Sequence, residues 1–451
     1  LKNIDIYKNK NVLVLGIAKS GFSVSKLLFK LGANVTVNDY QVVNEDSLGY
    51  QLQKMGIEVI GGGHPLSILD SNFDFIVKNP GIPYTNEILI EAEKRRIPII
   101  TEIEVAYQLC EAPFISISGS NGKTTTTTLI FEMLKEGGKK PIIAGNIGEV
   151  ACEVIQEATS DNIIVTELSS FQLLGIQEFK PKYALLLNIF DAHLDYHKTK
   201  ENYIEAKMQM FLNQDSSDYA ILNIDDATIN SLKDNIKSEI IPFSLHNPNF
   251  NCVYVNDSTL FYKKEKIIDL SDIVLPGSHN LENILAAVSV AKLCDVSNEA
   301  IRTVLSSFSG VQHRLQYVGT INNRKFYNDS KATNILATSK AIGAFNEKVI
   351  LIAGGLDRGN SFDDLVDDLK NVKAIVCYGE TKEKLKEAAQ KANVDIIEVS
   401  YNLVDAVKIA YSKSSNDDII LFSPACASWD QFANFEQRGD MFIEEVNKLE
   451  V

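Results

Sequence analysis

Short apolar runs alternate with stretches whose apolar positions recur every three or four residues, and this alternation continues along almost the whole chain. In the first hundred residues, strand-like runs at 11–16, 34–39 and 73–77 are separated by helix-like stretches at 20–31, 45–55 and 87–96. Strands that alternate with helical segments imply βαβ units around a parallel sheet. A second series of runs follows at 114–117, 141–144, 162–168, 182–189 and 219–224, with helical stretches at 201–212 and 281–293. The last third alternates again, with strands at 325–328, 348–353, 373–378, 394–399 and 418–422 and a helix at 382–392 among those between them. Three α/β domains are expected, over 1–103, 104–310 and 311–451, which suits 451 residues at roughly 100–200 residues per domain.

The run Ser118-Gly119-Ser120-Asn121-Gly122-Lys123-Thr124-Thr125 stands between an apolar strand and a stretch in which Leu129, Ile130, Met133 and Leu134 keep helical spacing. A strand that delivers a Gly-rich turn to a helix N-terminus turns several backbone N–H groups outward, and Lys123 adds a positive charge beside them. That is a phosphate cradle, with the hydroxyl of Thr124 or Thr125 available to the Mg²⁺ of a nucleoside triphosphate. Ile117 stands where the common pattern has its first Gly, so the turn is a shorter variant built on Gly119 and Gly122. The β-branched run Thr124 to Thr128 is a poor intrinsic choice for a helix, so something other than propensity placed it. The central domain is therefore expected to be of the P-loop ATPase type.

Other polar groups close the strands of this domain. Asn146 follows the second, Glu167 the third, and His193 and Asp195 the fourth; phosphate loop, carboxylate and imidazole on one rim suit a Mg²⁺-nucleotide site. Lys207 shares a helix face with Tyr203, Met210 and Phe211. Spacing alone favours a lysine whose stem is buried and whose head reaches water. The other reading is an amine whose pKa is depressed by burial and which can take up CO₂ as a carbamate, an anionic oxygen ligand. Asn280 and Asn283, near the start of the 281–293 helix, can read an adenine edge, and Lys331 and Arg358 at strand ends of the last domain can capture an acidic small molecule.

The first turn, Gly16-Ile17-Ala18-Lys19-Ser20-Gly21, is similar to a dinucleotide fingerprint, with Asp39 ending the next strand. Ala18 replaces the Gly that lets a pyrophosphate approach the backbone, which disfavours NAD and leaves a Rossmann-like domain that holds a nucleotide differently. Gly61-Gly62-Gly63-His64 and Lys78-Asn79-Pro80-Gly81-Ile82 are expected at the same sheet edge. The last domain repeats the Rossmann-like pattern.

The 45% apolar and 23% charged content is that of a soluble globular protein, and a net charge of −15 repels nucleic-acid backbones and acidic membrane surfaces. Six scattered cysteines without CxxC spacing read as buried thiols in a reducing compartment. The N-terminus has no apolar core of signal-peptide length and no segment reaches a membrane span, so a cytoplasmic protein is expected, without nucleic-acid partners or membrane insertion, and as a monomer.

Gly119 to Thr124, Asn146-Ile147-Gly148, Glu167-Leu168-Ser169-Ser170-Phe171-Gln172, His193-Leu194-Asp195, Gly277-Ser278-His279-Asn280, His313-Arg314 and Asn328-Asp329-Ser330-Lys331-Ala332-Thr333-Asn334 together resemble the markers of the Mur ligases. These are ATP-dependent enzymes that add amino acids to the UDP-muramyl precursor of bacterial peptidoglycan. The first domain and the ending from Ser423 to Ser428 and from Phe435 to Asp440 are similar to the branch that joins D-glutamate to UDP-N-acetylmuramoyl-L-alanine. The resemblance implies a UDP-binding first domain, an ATP-binding central domain and an amino-acid-binding last domain. It also implies an acyl phosphate that the amine of D-glutamate attacks through a tetrahedral intermediate.

On that pattern Gly119, Ser120, Asn121, Gly122, Lys123, Thr124 and Thr125 bind the ATP phosphates, with Thr124 and Glu167 at one Mg²⁺. His193 and a carbamylated Lys207 hold a second. Asn280 and Asn283 contact adenine, Arg314 the γ-phosphate and Asp329 the ribose. Ile17, Ala18, Ser20, Asp39, Asn79, Gly81 and Asn146 take the UDP-substrate, and Lys331, Thr333, Arg358, Ser428 and Phe435 the D-glutamate. Arg358 stands where some relatives carry Lys, and Asn79-Pro80-Gly81 where some carry Ser-Pro-Gly. The rival readings are a sister ligase adding L-alanine, a folylpolyglutamate-type ligase, and a non-catalytic nucleotide sensor.

Overall fold

The computed structural model describes residues 1–190, 192–246 and 252–450, the side chains of Asp195 and Glu450 excepted. Three sheets carry the chain. The first comprises β1 (Asn11–Leu15), β2 (Asn34–Asn38), β3 (Glu58–Ile60), β4 (Phe75–Lys78) and β5 (Ile99–Ile100) in the order β3-β2-β1-β4-β5, all parallel. Period-two alternation divides its faces: Val12 and Val14 enter one core, Leu13 and Leu15 the other.

The second sheet holds β6 (Phe114–Ser118), β7 (Lys140–Gly145), β8 (Asn162–Glu167), β9 (Tyr183–Leu186), β10 (Tyr219–Asn223), β11 (Glu239–Ser244), β12 (Val253–Asn256), β13 (Thr259–Tyr262) and β14 (Glu265–Asp269). Their order is β14-β13-β12-β11-β10-β9-β6-β8-β7, parallel except for the antiparallel pairs β12–β13 and β13–β14. The third comprises β15 (Gln316–Ile321), β16 (Arg324–Asn328), β17 (Val349–Gly354), β18 (Val372–Tyr378), β19 (Ile396–Val399) and β20 (Ile419–Phe422), ordered β15-β16-β20-β17-β18-β19 with β15 alone antiparallel. Every residue of β17 is buried, its Val349, Leu351 and Ala353 facing one core and Ile350 and Ile352 the other.

By contacts the chain forms two compact units, Leu1–Leu270 with Glu282–Val304, and Ser271–Leu281 with Leu305–Val451. The first two sheets share the first unit because one hydrophobic core runs from Val12 and Val14 through Ile103 and Leu109 to Phe114 and Leu222. Buried Glu104 seals that junction by accepting the N–H groups of Gln177, Glu178 and Phe179 at 2.8 to 3.1 Å. All six cysteines are buried, as their apolar flanks predict. Among the described residues no helix is long and apolar enough to cross a membrane.

The strand expected at 182–189 ends at Leu186, because the residues beyond it turn to hold the phosphate loop. β3, β5, β11 to β14 and β15 were not foreseen. The helix expected from 281 starts at Ser278, and the one expected over 201–212 runs Lys200–Met208 before a 3₁₀ turn, Gln209–Phe211.

Candidate functional site

β6 lies between β8 and β9, so its C-terminal end opens at the middle of a parallel sheet, where ligands bind in such folds. Helix Lys123–Glu136 begins after Gly122, whose φ of 81° is left-handed; a Cβ there would meet Asn283 Oδ1 at 2.1 Å. Asn188 fixes the turn: its carbonyl accepts the Ser120 N–H at 3.0 Å, its Oδ1 the Asn121 N–H at 2.8 Å, and its Nδ2 donates to the Asn121 carbonyl at 3.2 Å. Ser120 Oγ pairs with the Tyr203 hydroxyl at 3.0 Å. Sequence reasoning assigned no role to Asn188 or Tyr203; an asparagine inside the apolar run expected as a strand over 182–189 was the only signal for Asn188.

Two ammonium groups converge on one carbonyl. Lys123 Nζ donates to the carbonyls of Gly119 (2.8 Å) and Ser120 (3.1 Å), and Lys207 Nζ to the carbonyl of Gly119 (3.0 Å) and to Ser118 Oγ (3.3 Å). Lys207 is 1% exposed and its ammonium lies 4.6 Å from the centroid of the Tyr203 ring. The reading in which its head reaches water is thereby corrected: the helix aims the whole side chain under the loop. Burial, and then the nearby Lys123 charge, hold its pKa well below the ordinary lysine value.

Of the two candidate threonines, Thr124 faces the carboxylate. Its Oγ1 donates to Glu167 Oε2 at 2.8 Å, while Asn146 Nδ2 donates to Glu167 Oε1 at 2.7 Å. The threonine run is thus explained in part: Thr124 serves Glu167, Thr128 donates back to the Thr124 carbonyl at 2.9 Å, and Thr126 and Thr127 are wholly buried with unpartnered hydroxyls. His193 caps the short helix Leu194–His197 at φ 55°, its ring 5.0 Å from Phe171. The side chain of Asp195 lies outside the described residues. Among the described residues no three His, Cys, Asp or Glu side chains converge as a metal cage. The Thr124 and Glu167 oxygens are hard donors of the kind Mg²⁺ takes, and Mg²⁺ ordinarily completes its shell with phosphates and water.

At the edge of the first sheet, the turns after β1 and β4 meet where strand order reverses. Asp39 Oδ2 accepts the Ile17 N–H at 2.7 Å and Oδ1 the Gln41 N–H at 2.8 Å, beside a cavity of about 280 Å³ lined by Ile17, Ala18, Asp39, Val42 and Ser47 among others. Asn79 Nδ2 donates to Ser20 Oγ at 3.2 Å and Asn79 Oδ1 accepts the Gly81 N–H at 3.0 Å. Six of the seven positions expected to take the nucleotide-sugar therefore gather here; the seventh, Asn146, is held on Glu167.

The second unit gathers another set, at the neighbouring ends of β16, β20 and β17. Asp329 Oδ1 accepts the Leu315 N–H (3.1 Å) and Oδ2 the Ser423 hydroxyl (2.8 Å), and burial pushes its carboxyl up to about 7. Lys331 lies 4.8 Å over the Phe435 ring and Arg358 5.1 Å over that of Trp429. Ser428 is buried, and Thr333 follows Lys331 in a tight turn, its N–H on the Lys331 carbonyl at 2.9 Å. Arg314 closes a turn on the Val311 carbonyl at 2.8 Å, and Asn280, in the first turn of helix Ser278–Leu293, donates to the Pro276 carbonyl at 2.6 Å. Arg438, wholly buried, was given no role from sequence. Its Nε and Nη2 donate to Ser330 Oγ (3.0 Å) and carbonyl (2.7 Å), and its Nη1 to the Cys426 carbonyl (3.0 Å).

Three domain families match consecutive parts of the chain: the MurD-like N-terminal domain of Mur ligases over 10–101, the Mur ligase middle domain over 117–291, and the glutamate ligase domain of Mur ligases over 313–426. The chain is 57% identical over 449 residues to the UDP-N-acetylmuramoylalanine–D-glutamate ligase of Bacillus cereus (strain G9842) and 58% identical to that of Bacillus mycoides (strain KBAB4), each alignment covering 100% of both chains. Among solved structures it is similar in fold to UDP-N-acetylmuramate-alanine ligase MurC from Thermotoga maritima (TM-score 0.59, 18% identity, 97% of this chain and 99% of that one). It is also similar to the ADP complex of MurF ligase from the same organism (0.58, 16%, 99% and 97%). With full-length relatives at this identity and family domains matched in order on all three sheets, the chain belongs to the Mur ligase family.

Proposed function

We propose that this chain joins D-glutamate to UDP-N-acetylmuramoyl-L-alanine at the expense of ATP, releasing ADP and phosphate. The observation that carries the chemistry is the Thr124–Glu167 pair, 2.8 Å apart, at the mouth of a loop braced by Lys123 and Lys207. The choice of amine and acceptor is supported by the names of relatives similar over their whole length.

A carboxylate is a poor electrophile, so the terminal carboxylate of the alanyl group first attacks the γ-phosphorus of ATP. The bond from that phosphorus to the β-bridging oxygen breaks, and ADP leaves. The amine of D-glutamate then attacks the acyl carbon, loses a proton, and the tetrahedral intermediate collapses by expelling phosphate. Positioning and charge neutralisation supply most of the catalysis in such transfers. Lys123 and the N–H groups of Gly119 to Thr125 bind the β- and γ-phosphates, and Asn283, packed on Gly122, contacts the adenine together with Asn280. Arg314 meets the γ-phosphate and Asp329 the ribose. Ile17, Ala18, Ser20, Asp39, Asn79 and Gly81 hold the UDP group and Asn146 the sugar-proximal part. Lys331, Thr333, Arg358, Ser428 and Phe435 orient D-glutamate.

Thr124 and Glu167 would hold one Mg²⁺, and His193 with a carbamylated Lys207 a second. When bound, these ions neutralise charge on the phosphate and carboxylate oxygens. The depressed pKa of Lys207 suits carbamate formation, in which a neutral amine adds to CO₂ and releases a proton. Domain limits are taken at 103/104 and 310/311, with Arg314 and Asp329 of the last domain reaching the nucleotide, and a cytoplasmic monomer is the working form.

The test is ADP release with UDP-N-acetylmuramoyl-L-alanine or the unextended UDP-muramyl acid as acceptor, and D-glutamate, L-alanine or L-glutamate as amine. Turnover with D-glutamate on the alanyl acceptor is expected. Turnover only with L-alanine on the unextended acid would refute it, as would ATP binding without phosphate release.

A further inference from the structure

Lys78, the last residue of β4, is 1% exposed. Its Nζ donates to the carbonyls of Ile82 (2.9 Å), Pro80 (3.2 Å) and Asn79 (3.3 Å) and reaches the Tyr196 hydroxyl at 3.4 Å. The ammonium also sits 4.9 Å from the centroid of the Tyr84 ring. These partners include no carboxylate. A cation taken out of water must be held by dipoles aimed at it, and here three carbonyls of the Asn79–Ile82 loop supply them. The loop therefore takes its shape from the ammonium. On its outer side the same loop meets the first turn of the chain, through Asn79 and Ser20.

On its inner side it is tied to the segment that carries His193. The Tyr196 hydroxyl, which accepts from Lys78, donates to the Ile82 carbonyl at 3.2 Å. Tyr196 N–H in turn donates to the His193 carbonyl at 3.1 Å. The rings of Tyr196 and His193 both pack on Phe171, at 4.5 and 5.0 Å. Buried Lys78 and half-buried Tyr196 and Phe171 thus form a continuous path, within one compact unit, from the loop at the first sheet's edge to the His193 imidazole, whose ring lies 6.3 Å from that of Tyr203, the partner of Ser120 in the phosphate loop.

We infer that Lys78 and Tyr196 are positioning residues that fix the distance between the loop holding the substrate's diphosphate and the His193 segment, so that the far end of the nucleotide-sugar is delivered in register for reaction. This rests on the proposed function, in which UDP-N-acetylmuramoyl-L-alanine occupies the first sheet's edge. Neither residue touches the reacting atoms. Their effect falls on acceptor binding and on kcat, not on ATP.

The test compares Tyr196→Phe, Lys78→Met and the double variant, with KM for each of the three substrates, kcat, and the melting temperature. Loss of buried charge-assisted hydrogen bonds predicts an acceptor KM raised by about tenfold in Lys78→Met and about threefold in Tyr196→Phe, with the KM for ATP within about twofold. The double variant should be no worse than Lys78→Met, because both act through one clasp. Wild-type acceptor KM in the folded variants would overturn the inference, as would a parallel rise in all three KM values or additive effects in the double variant. If Lys78→Met does not fold, Tyr196→Phe, which removes one hydroxyl, decides alone. Calorimetric titration with UDP separates this from the function: a wild type that binds UDP but does not ligate refutes the proposed activity, whereas a ligating wild type with unaltered variants refutes the clasp.

Discussion

Gly122 is the residue at which the phosphate loop tolerates least. Replacing it with Ala keeps the helix that follows but places a Cβ in a left-handed residue, φ 81°, at a cost of about 1 kcal/mol. The same Cβ would stand 2.1 Å from Asn283 Oδ1 and 2.9 Å from its Cγ. Asn283 is buried, so it must rotate away or the loop must shift, at about 1–3 kcal/mol by analogy with overpacked cores. Together these give about 2–4 kcal/mol. Without nucleotide the loop relieves that strain by relaxing, so the cost falls on the ATP-bound state, and kcat/KM for ATP should drop by about 30- to 1,000-fold. The assay is ADP release at varied ATP with both other substrates saturating. A second variant, Gly122→Ala with Asn283→Gly, removes the collision and leaves the backbone term, but also deletes a proposed adenine contact, so it should recover no more than part of the loss. Gly122→Ala with near-normal kcat/KM for ATP would show that the loop does not cradle the nucleotide as described.

Lys207→Ala should lose at least about 100-fold in kcat, on the scale of removing one electrostatic contributor, and regain activity with millimolar formate or acetate; absence of any rescue counts against a carbamate at this position. Arg438→Met should raise the KM for D-glutamate by about 30-fold or more through loss of three hydrogen bonds that hold the Ser330 and Cys426 loops. Arg438→Lys should not restore it, since a point charge cannot span both loops; an unchanged KM in either folded variant would refute the role. Glu102, buried with its carboxylate on the Cys152 N–H, has its pKa pushed up to about 7 by burial. A carboxyl raised in the folded state binds more protons there than when unfolded, so its contribution to stability is full below the ordinary carboxylate range and is lost as pH rises through 7. Glu102→Gln should therefore be more stable to unfolding than the wild type at pH 8, by on the order of 3 kcal/mol, and the gap should close near pH 4. A gap independent of pH would contradict this.

Much of this site is legible in the sequence because its chemistry is local. Gly119 to Thr125 declare a phosphate loop by their own backbone needs, and apolar alternation finds most parallel strands because both faces of those strands are buried. Residues that act through tertiary contact leave no such trace. Lys207 and a solvent-reaching lysine have the same helical spacing, and only the packing of its helix beneath Ser118 and Gly119 distinguishes them. Asn188, Lys78 and Arg438 are polar residues at strand or helix ends until the fold turns carbonyls toward them. The strands β12 to β14 escape notice for another reason: they are only four or five residues long, the turns between them carry Asp257, Ser258, Lys263 and Lys264, and their pairing is set by hairpin geometry, not by a buried two-sided pattern. Threonines 124 to 128 defy helix propensity because one serves Glu167 and others fill the core under the loop.

The central claim is that ATP activates the acceptor carboxylate for attack by D-glutamate. Its most direct test is to run the reaction with UDP-N-acetylmuramoyl-L-alanine labelled with ¹⁸O in the alanyl carboxylate and to analyse the phosphate released. Transfer of one labelled oxygen to phosphate per D-glutamate joined is predicted. Phosphate free of label, with the product carboxamide formed at the normal rate, would contradict the account.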